Sequence, residues 1–524
     1  MDRKVDPKTG KVKLEALPFI VPGARFNEKY GWDSYFMALG LLVDGKMGTA
    51  LAIVEHCIFE IKHYNKVLNG NRSYIYNNFD QDEKARKTEW LKRAIRAAIK
   101  EYHCYWMSEP SLDPVSGLSR YRPSGLGIPP ETEASHFTHV LQPYAMKLGI
   151  SVNEFVEGYN DGTIPEPELD EYFQHDRGVR ESGHDTSYRL EKKCADLGTV
   201  DLNSLLYKYE WDIAEAIAAV FGDSLEMDEE FDLSPWPITP EAFAAGTPRE
   251  KSTSLVYSSQ HWYERAKTRQ ETMSRLCWND GASMFFDYDT KLKKQSRYES
   301  VTTFWPMWAG LATDQQAQLM VKNALPKFEV AGGLVSGTEE SRGTISLDRP
   351  NRQWDYPYGW PPHQIMAWVG MDRYGYLEEC SRLAYRWVYM MTLSFVDFNG
   401  IVPEKFDAVE LSHLVDAEYG NQGVDFKYVP REGFGWMNAA YQVGLNCLST
   451  QMRRAVAACT PPWVIFNLPA PDFPSARKRR AEREARDAEL AATGHGGAIR
   501  KQVHNEPPTL EQTIQNLKYD NGDK

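Results

Sequence analysis

Apolar residues recur at helical spacing over long stretches of this chain: residues 35–63, 84–106, 202–221, 258–277, 361–374, 376–395 and 436–458. Alternating runs of the kind that build half-buried strands are few and short, so the pattern predicts a mainly α protein. Between the helical stretches lie irregular segments rich in Gly, Pro and aromatic residues, at 21–32, 119–132, 180–188, 332–362 and 400–435. Loops this long inside a compact domain are usually functional rather than connective. The expectation is a helical scaffold that carries these five loops at one end. Residues 222–251, acidic and Pro-rich, read as a surface excursion. Residues 475–490 form a charge-mixed helix former with almost no apolar face, and 491–524 are polar and interrupted by Gly and Pro, which reads as a solvated tail.

Composition narrows the function classes. The 524 residues carry 60 Lys+Arg against 73 Asp+Glu, a net charge of −13, which argues against a nucleic-acid partner. No apolar run reaches the roughly 20 residues of a membrane span, and the start shows no apolar h-region of a signal peptide. Seven scattered cysteines, without a CxxC or Cys/His cluster, read as reduced thiols rather than a disulfide or zinc framework, so a cytoplasmic location is expected. Fifteen Trp and 28 Tyr stand among Asp, Glu, Arg and Asn in short Gly/Pro-punctuated runs. Flat apolar faces beside carboxylates, amides and guanidinium forks are what a sugar site needs. Core packing explains any single Trp but not the mixture.

Two runs concentrate that mixture. One is Pro22-Gly23-Ala24-Arg25-Phe26-Asn27-Glu28-Lys29-Tyr30-Gly31-Trp32-Asp33-Ser34-Tyr35. The other is Gln353-Trp354-Asp355-Tyr356-Pro357-Tyr358-Gly359-Trp360-Pro361-Pro362. Both resemble the signature motifs of trehalases, glycoside hydrolase family 37, the first with Ala24 where the family usually has Gly. Arg180-Glu181-Ser182-Gly183-His184-Asp185 resembles the loop bearing the family's general acid. Pro403-Glu404-Lys405-Phe406-Asp407 resembles the loop of its general base, and Glu432-Gly433-Phe434-Gly435-Trp436 the turn that closes the site. His184, together with the tract from Asp416 to Gly423, is most similar to fungal neutral trehalases.

The resemblance implies an (α/α)6 toroid with long functional loops, here incomplete at its N-terminus. Its organisation would be an N-terminal remnant at 1–20, a catalytic domain at 21–467 and a charged tail at 468–524. It implies trehalose as substrate, no cofactor, no metal, no membrane and room for a regulatory protein partner. Trehalose joins two glucoses through both anomeric carbons. Its hydrolysis needs one group to protonate the shared oxygen and a carboxylate to activate water on the opposite ring face. In this inverting family Asp185 would be the acid and Glu404 the base, with carboxyls roughly 6.5–9.5 Å apart. Asp185 would have to stay protonated near neutrality. A rise of two units from about 3.9 costs about 2.7 kcal/mol, which the walls Trp32, Trp360 and Phe434 would impose. Taken alone, Asp185-Thr186-Ser187 also reads as a helix N-cap before the apolar pattern from Tyr188.

Carried over by motif, the substrate contacts are Arg25, Phe26, Tyr30, Trp32, Asp33, Asn71, Arg122, Arg180, Gly183, Trp354, Trp360 and Glu418. Arg25 and Arg180 also read as structural ion-pair partners. Three departures from the family stand out. Residues 75–83 replace a segment that supplies an arginine and a glutamine to the sugar, a loss worth about 1.5–3 kcal/mol of transition-state binding. The portion before the first signature is short. No Asp-rich calcium loop of the kind carried by neutral trehalases is seen. A second reading is therefore an impaired, truncated paralogue that binds sugar or a partner without turnover.

Overall fold

The structure is a computed structural model that describes residues 2–5, 12–15, 20–23, 29–67, 84–129, 136–231, 233, 255–346, 349–397, 400, 402–413, 415 and 433–475. The chain divides into a unit at Met1–Pro469 and a second at Ala470–Lys524, of which 470–475 are described.

The first unit is mainly helical. Its principal helices in chain order are α1 (Gly31–Val43), α2 (Met47–Tyr64), α3 (Lys84–Glu101, continued by a π-turn over Tyr102–Trp106), α4 (Thr138–Leu148) and α5 (Val152–Asn160). Next come α6 (Pro167–Ser182), α7 (Val200–Val220), α8 (Ser259–Leu276), α9 (Trp305–Ala309) and α10 (Pro361–Arg373). The series ends with α11 (Leu377–Asp397), α12 (Gly435–Asn446) and α13 (Thr450–Ala457). α1 packs on α12, α12 on α10, α10 on α9 and α9 on α7, while α2 backs α1, α8 backs α7 and α11 backs α10 and α12. α3 links α2 to α7. These are the two helical layers of an (α/α)6 toroid, as expected from sequence.

Burial explains which helices form the inner layer. Nine of the thirteen residues of α1 are buried, so it is enclosed rather than amphipathic. Small residues let the layers approach: a Cβ at Gly40 would come within 3.0 Å of Ala439 on α12, and one at Gly444 would meet Val388 at 2.6 Å and Trp368 at 3.3 Å.

Two expected helices are split. Residues 35–63 become α1 and α2 because the chain turns at Asp44-Gly45-Lys46, where Lys46 N–H bonds back to Leu41 O at 2.7 Å. Residues 436–458 become α12 and α13, the second started by Ser449, whose hydroxyl accepts from Met452 N–H at 3.2 Å. Helices α4, α5 and α6 arise where no apolar stretch was read. In α6 the buried positions are Leu169, Phe173, His175, Gly178, Val179 and Ser182, of which Leu169, Phe173 and Val179 are the large apolar ones.

Strands beyond the antiparallel pair Asp2–Val5 and Val12–Glu15 are two residues long among the described residues. One matters for the site: Tyr358–Gly359 pairs antiparallel with Phe406–Asp407, setting Tyr358 opposite Asp407 and Gly359 opposite Phe406.

Candidate active site

Short backbone contacts join the signature segments. Through the Tyr358–Gly359 pairing, the run that starts at Gln353 lies beside the one that holds Glu404, and Ala408 N–H adds a bond to Pro357 O at 3.1 Å. Trp354 N–H donates to Thr186 O at 3.1 Å, which attaches the same run to the segment after Asp185. The Pro22-Gly23 turn docks on the turn at 433–435: Gly435 N–H donates to Pro22 O at 2.6 Å, and Gly23 lies so close to Gly433 that no side chain fits.

Helix α6 ends at Gly183, whose φ of +74° is left-handed and favours glycine. A Cβ there would also press on the Trp32 indole at 3.0 Å. His184 and Asp185 follow directly. No helix begins at Asp185; the next helical turn is Cys194–Asp196, so the capping alternative does not hold. Asp355 anchors the backbone just beyond, accepting from Ser187 Oγ at 2.7 Å, Tyr188 N–H at 3.0 Å and the Tyr298 hydroxyl. Below it the buried Arg189 guanidinium donates to Asp287 at 2.7 and 2.8 Å and to Asp201 at 2.5 Å. This rigid polar floor fixes the direction in which Asp185 leaves the helix end.

Three carboxyls act on one another here: Asp33 in the first turn of α1, Asp185 and Glu404. Asp33 and Glu404 are buried; Asp185 keeps some exposure. Loss of hydration pushes Asp185 up to about 6 and the Glu404 charge adds to this, while Arg180 and Lys405 hold it down. Asp33 is pushed well up, by burial first and then by Glu404 and Asp185. Asp176, on α6, is raised to about 7 by burial and by Asp185. Arg180 donates from Nε to Asp176 Oδ2 at 2.7 Å and approaches His136 Nε2 at 3.2 Å. Lys405 Nζ donates to Glu404 Oε1 at 2.6 Å and to Gln353 Oε1 at 2.8 Å.

An aromatic wall flanks the carboxyls. Trp354 stacks on Trp360 with centroids 4.0 Å apart and planes 5° apart, and Trp32 meets Trp354 at 5.7 Å, Trp436 at 5.5 Å and His184 at 5.4 Å. Phe434 packs on Trp436 at 5.1 Å. His184 Nε2 lies 3.1 Å from His363 Nε2, and burial together with His184 drives His363 well below its ordinary value, so His363 is neutral.

Of the residues chosen from sequence, Trp32, Asp33, Gly183, Asp185, Trp354, Trp360 and Glu404 come together, and Arg180 acts on Asp185. Tyr30 is the residue that precedes α1. Arg122 is engaged elsewhere, with Asp196 Oδ1 at 2.8 Å and Ala195 O at 3.2 Å. Its guanidinium finds a carboxylate next to its own loop and serves to hold that loop. Arg25, Phe26, Asn71 and Glu418 lie outside the described residues, as do 75–83 and most of the tail.

Sequence reasoning passed over Gln353, Lys405, Asp355, Asp176 and His363. Gln353 and Lys405 stood next to chosen residues in their motifs, but their partnership requires the strand pairing. Among the described residues no group of three or more His, Cys, Asp or Glu side chains could hold a metal ion.

A family model of trehalases matches residues 2–449. The chain belongs to the trehalase family. It is 54% identical over 485 residues to a cytosolic neutral trehalase of Emericella nidulans, covering 89% of this chain and 62% of that protein. It is 52% identical over 485 residues to one of Saccharomyces cerevisiae, covering 89% and 62%. The chain thus spans about three-fifths of the length of the curated trehalases it matches. A solved neutral trehalase from Saccharomyces cerevisiae superimposes with a TM-score of 0.76 at 49% identity, over 90% of this chain and 81% of that one. The trehalase motifs and the helical toroid therefore occur together in one chain.

Proposed function

We propose that this chain hydrolyses α,α-trehalose to two glucose molecules in one inverting step. The observation that carries the reading is that Asp185 and Glu404 come together beside the tryptophan wall, Gln353 bonding both to the Asp185 carbonyl and to the Lys405 ammonium that holds Glu404. Asp185, held near 6, is the group suited to donate a proton to the glycosidic oxygen. Glu404 takes the proton of a water as its oxygen attacks the anomeric carbon from the opposite face. The bond to the bridging oxygen breaks, one glucose leaves as the α-anomer, and the attacked ring becomes the β-anomer. Water is the only co-reactant and both proton transfers run through carboxyls, so the proposed reaction uses no cofactor.

Asp33 would hydrogen-bond a sugar hydroxyl, and the indoles of Trp354 and Trp360 would cover an apolar sugar face. The names of the relatives support trehalose as substrate and a cytosolic location. Among the described residues no helix is long and apolar enough to cross a membrane. Both carboxyls of the proposed pair are retained, and no observation favours a form without turnover.

The test is glucose release by the purified chain from trehalose, with maltose and sucrose as controls. NMR of the first products should show equal α- and β-glucose. Asp185→Ala and Glu404→Ala should each abolish release with unchanged far-UV circular dichroism. A folded wild-type protein that leaves trehalose intact refutes the proposal.

A further inference from the structure

Lys405 follows the proposed base directly in sequence, yet its contacts reach well beyond that neighbour. The side chain is 1% exposed, its ammonium donates to Glu404 Oε1 at 2.6 Å and Gln353 Oε1 at 2.8 Å, and it lies 4.9 Å from the centre of the Trp360 ring. Gln353 in turn donates from Nε2 to the backbone carbonyl of Asp185, and its own backbone carbonyl accepts from Trp360 Nε1 at 2.6 Å. A buried ammonium is tolerated only where a counter-charge and acceptors replace its water. Here those partners are the proposed base and the amide that holds the proposed acid.

We propose that Lys405 is a positioning residue of the active site: one buried cation that orients the Glu404 carboxylate and, through Gln353, holds the backbone of Asp185. The inference rests on the hydrolysis proposed above. Base and acid come from segments far apart in the chain, and this strut sets both from a single point. The described charged groups that face the pair are Asp33 from α1, and Arg180 and Asp185 from the end of α6 and the turn after it. With the ammonium removed, Glu404 would face two other carboxyls without the cation now bonded to it. Asp185 would lose the same cation, which now helps to hold its carboxyl down, and would keep its proton to higher pH. The proposed acid acts protonated, so activity would survive to higher pH than in the wild type. Breaking Gln353 instead leaves the ammonium in place, so the alkaline limb would stay while the alignment of Asp185 loosens.

The experiment measures glucose release from trehalose by the full chain between pH 4 and 9, with kcat and KM separated, for the wild type and for Lys405→Gln, Lys405→Arg and Gln353→Met. Lys405→Gln should lower kcat about a hundredfold with little change in KM, and move the alkaline limb of kcat/KM up by about 0.5–1 pH unit. Lys405→Arg should return the limb to its wild-type position while kcat stays about tenfold down, because a planar fork cannot reproduce both ammonium contacts. Gln353→Met should lower kcat about tenfold with the limb unmoved. An alkaline limb that stays in place in Lys405→Gln, or Lys405→Arg with undiminished kcat, overturns the inference. If Lys405→Gln does not fold, the Arg and Met variants decide, and wild-type kcat in either is the refuting result. An inactive, folded wild type refutes the hydrolysis itself, a different outcome from an active wild type with indifferent variants.

Discussion

Replacing Asp185 with asparagine should stabilise the protein while abolishing turnover, and the gain should grow with pH. In the folded chain the Asp185 carboxyl titrates at about 6, against 3.8 for the ordinary side chain, because burial and the Glu404 charge outweigh Arg180 and Lys405. A carboxyl raised on folding contributes stability that is complete below the unfolded value and is lost as pH rises through the folded one. About two units at 1.36 kcal/mol each make the ionised native state about 3 kcal/mol less stable at pH 8 than it would be with a neutral group. Asparagine has nearly the same shape and never ionises. The difference in unfolding free energy between Asp185→Asn and wild type should therefore widen from about 0.5 kcal/mol at pH 4 to about 3 kcal/mol at pH 8. Removing the Asp185 charge also relieves Asp33, in the same direction. Urea unfolding of both proteins across this range isolates the pH-dependent part from any constant offset due to new amide hydrogen bonds. A difference that stays flat, or narrows towards pH 8, would refute the burial argument for Asp185.

Three further outcomes are expected. In the proposed reaction Asp185 acts protonated, so kcat/KM should fall as pH rises through about 6; Arg180→Met should move that limb to higher pH, because the guanidinium now holds the carboxyl down. Gly183→Ala forces a side chain into φ +74° and against the Trp32 indole, so unfolding should show a loss of at least about 1–2 kcal/mol and activity should drop with it. Arg189→Met leaves Asp201 and Asp287 buried without their cation and should cost about 3–5 kcal/mol in urea unfolding; a loss below about 1 kcal/mol would count against the ion-pair explanation.

The helical class was legible because seven stretches keep apolar residues at helical spacing, and most of them became helices within two or three residues of the expected ends. Turns inside two of them were not legible: Asp44-Gly45-Lys46 and the capping Ser449 interrupt a pattern that stays apolar on both sides. Helix α6, which ends just before Asp185, was passed over because its buried positions include His175, Gly178 and Ser182 beside Leu169, Phe173 and Val179, so no apolar period shows in the sequence. The ion pair of Arg122 with Asp196 was not legible either, because a guanidinium beside aromatic residues looks the same in sequence whatever carboxylate it meets.

Residue types and their local order determined the family and the helical scaffold, and the resemblance of short motifs pointed to Asp185 and Glu404 as the pair proposed above. Only the fold decided which groups share a charge environment. Hydration and Coulomb forces depend on distance through space, and the chain separates Asp33, Asp185 and Glu404 widely before the toroid and one two-residue strand pair bring them within electrostatic reach of one another. The role of Lys405 belongs to the same category: its position beside Glu404 is written in the sequence, but its hold on Gln353, and through it on Asp185, exists only once the two segments lie side by side.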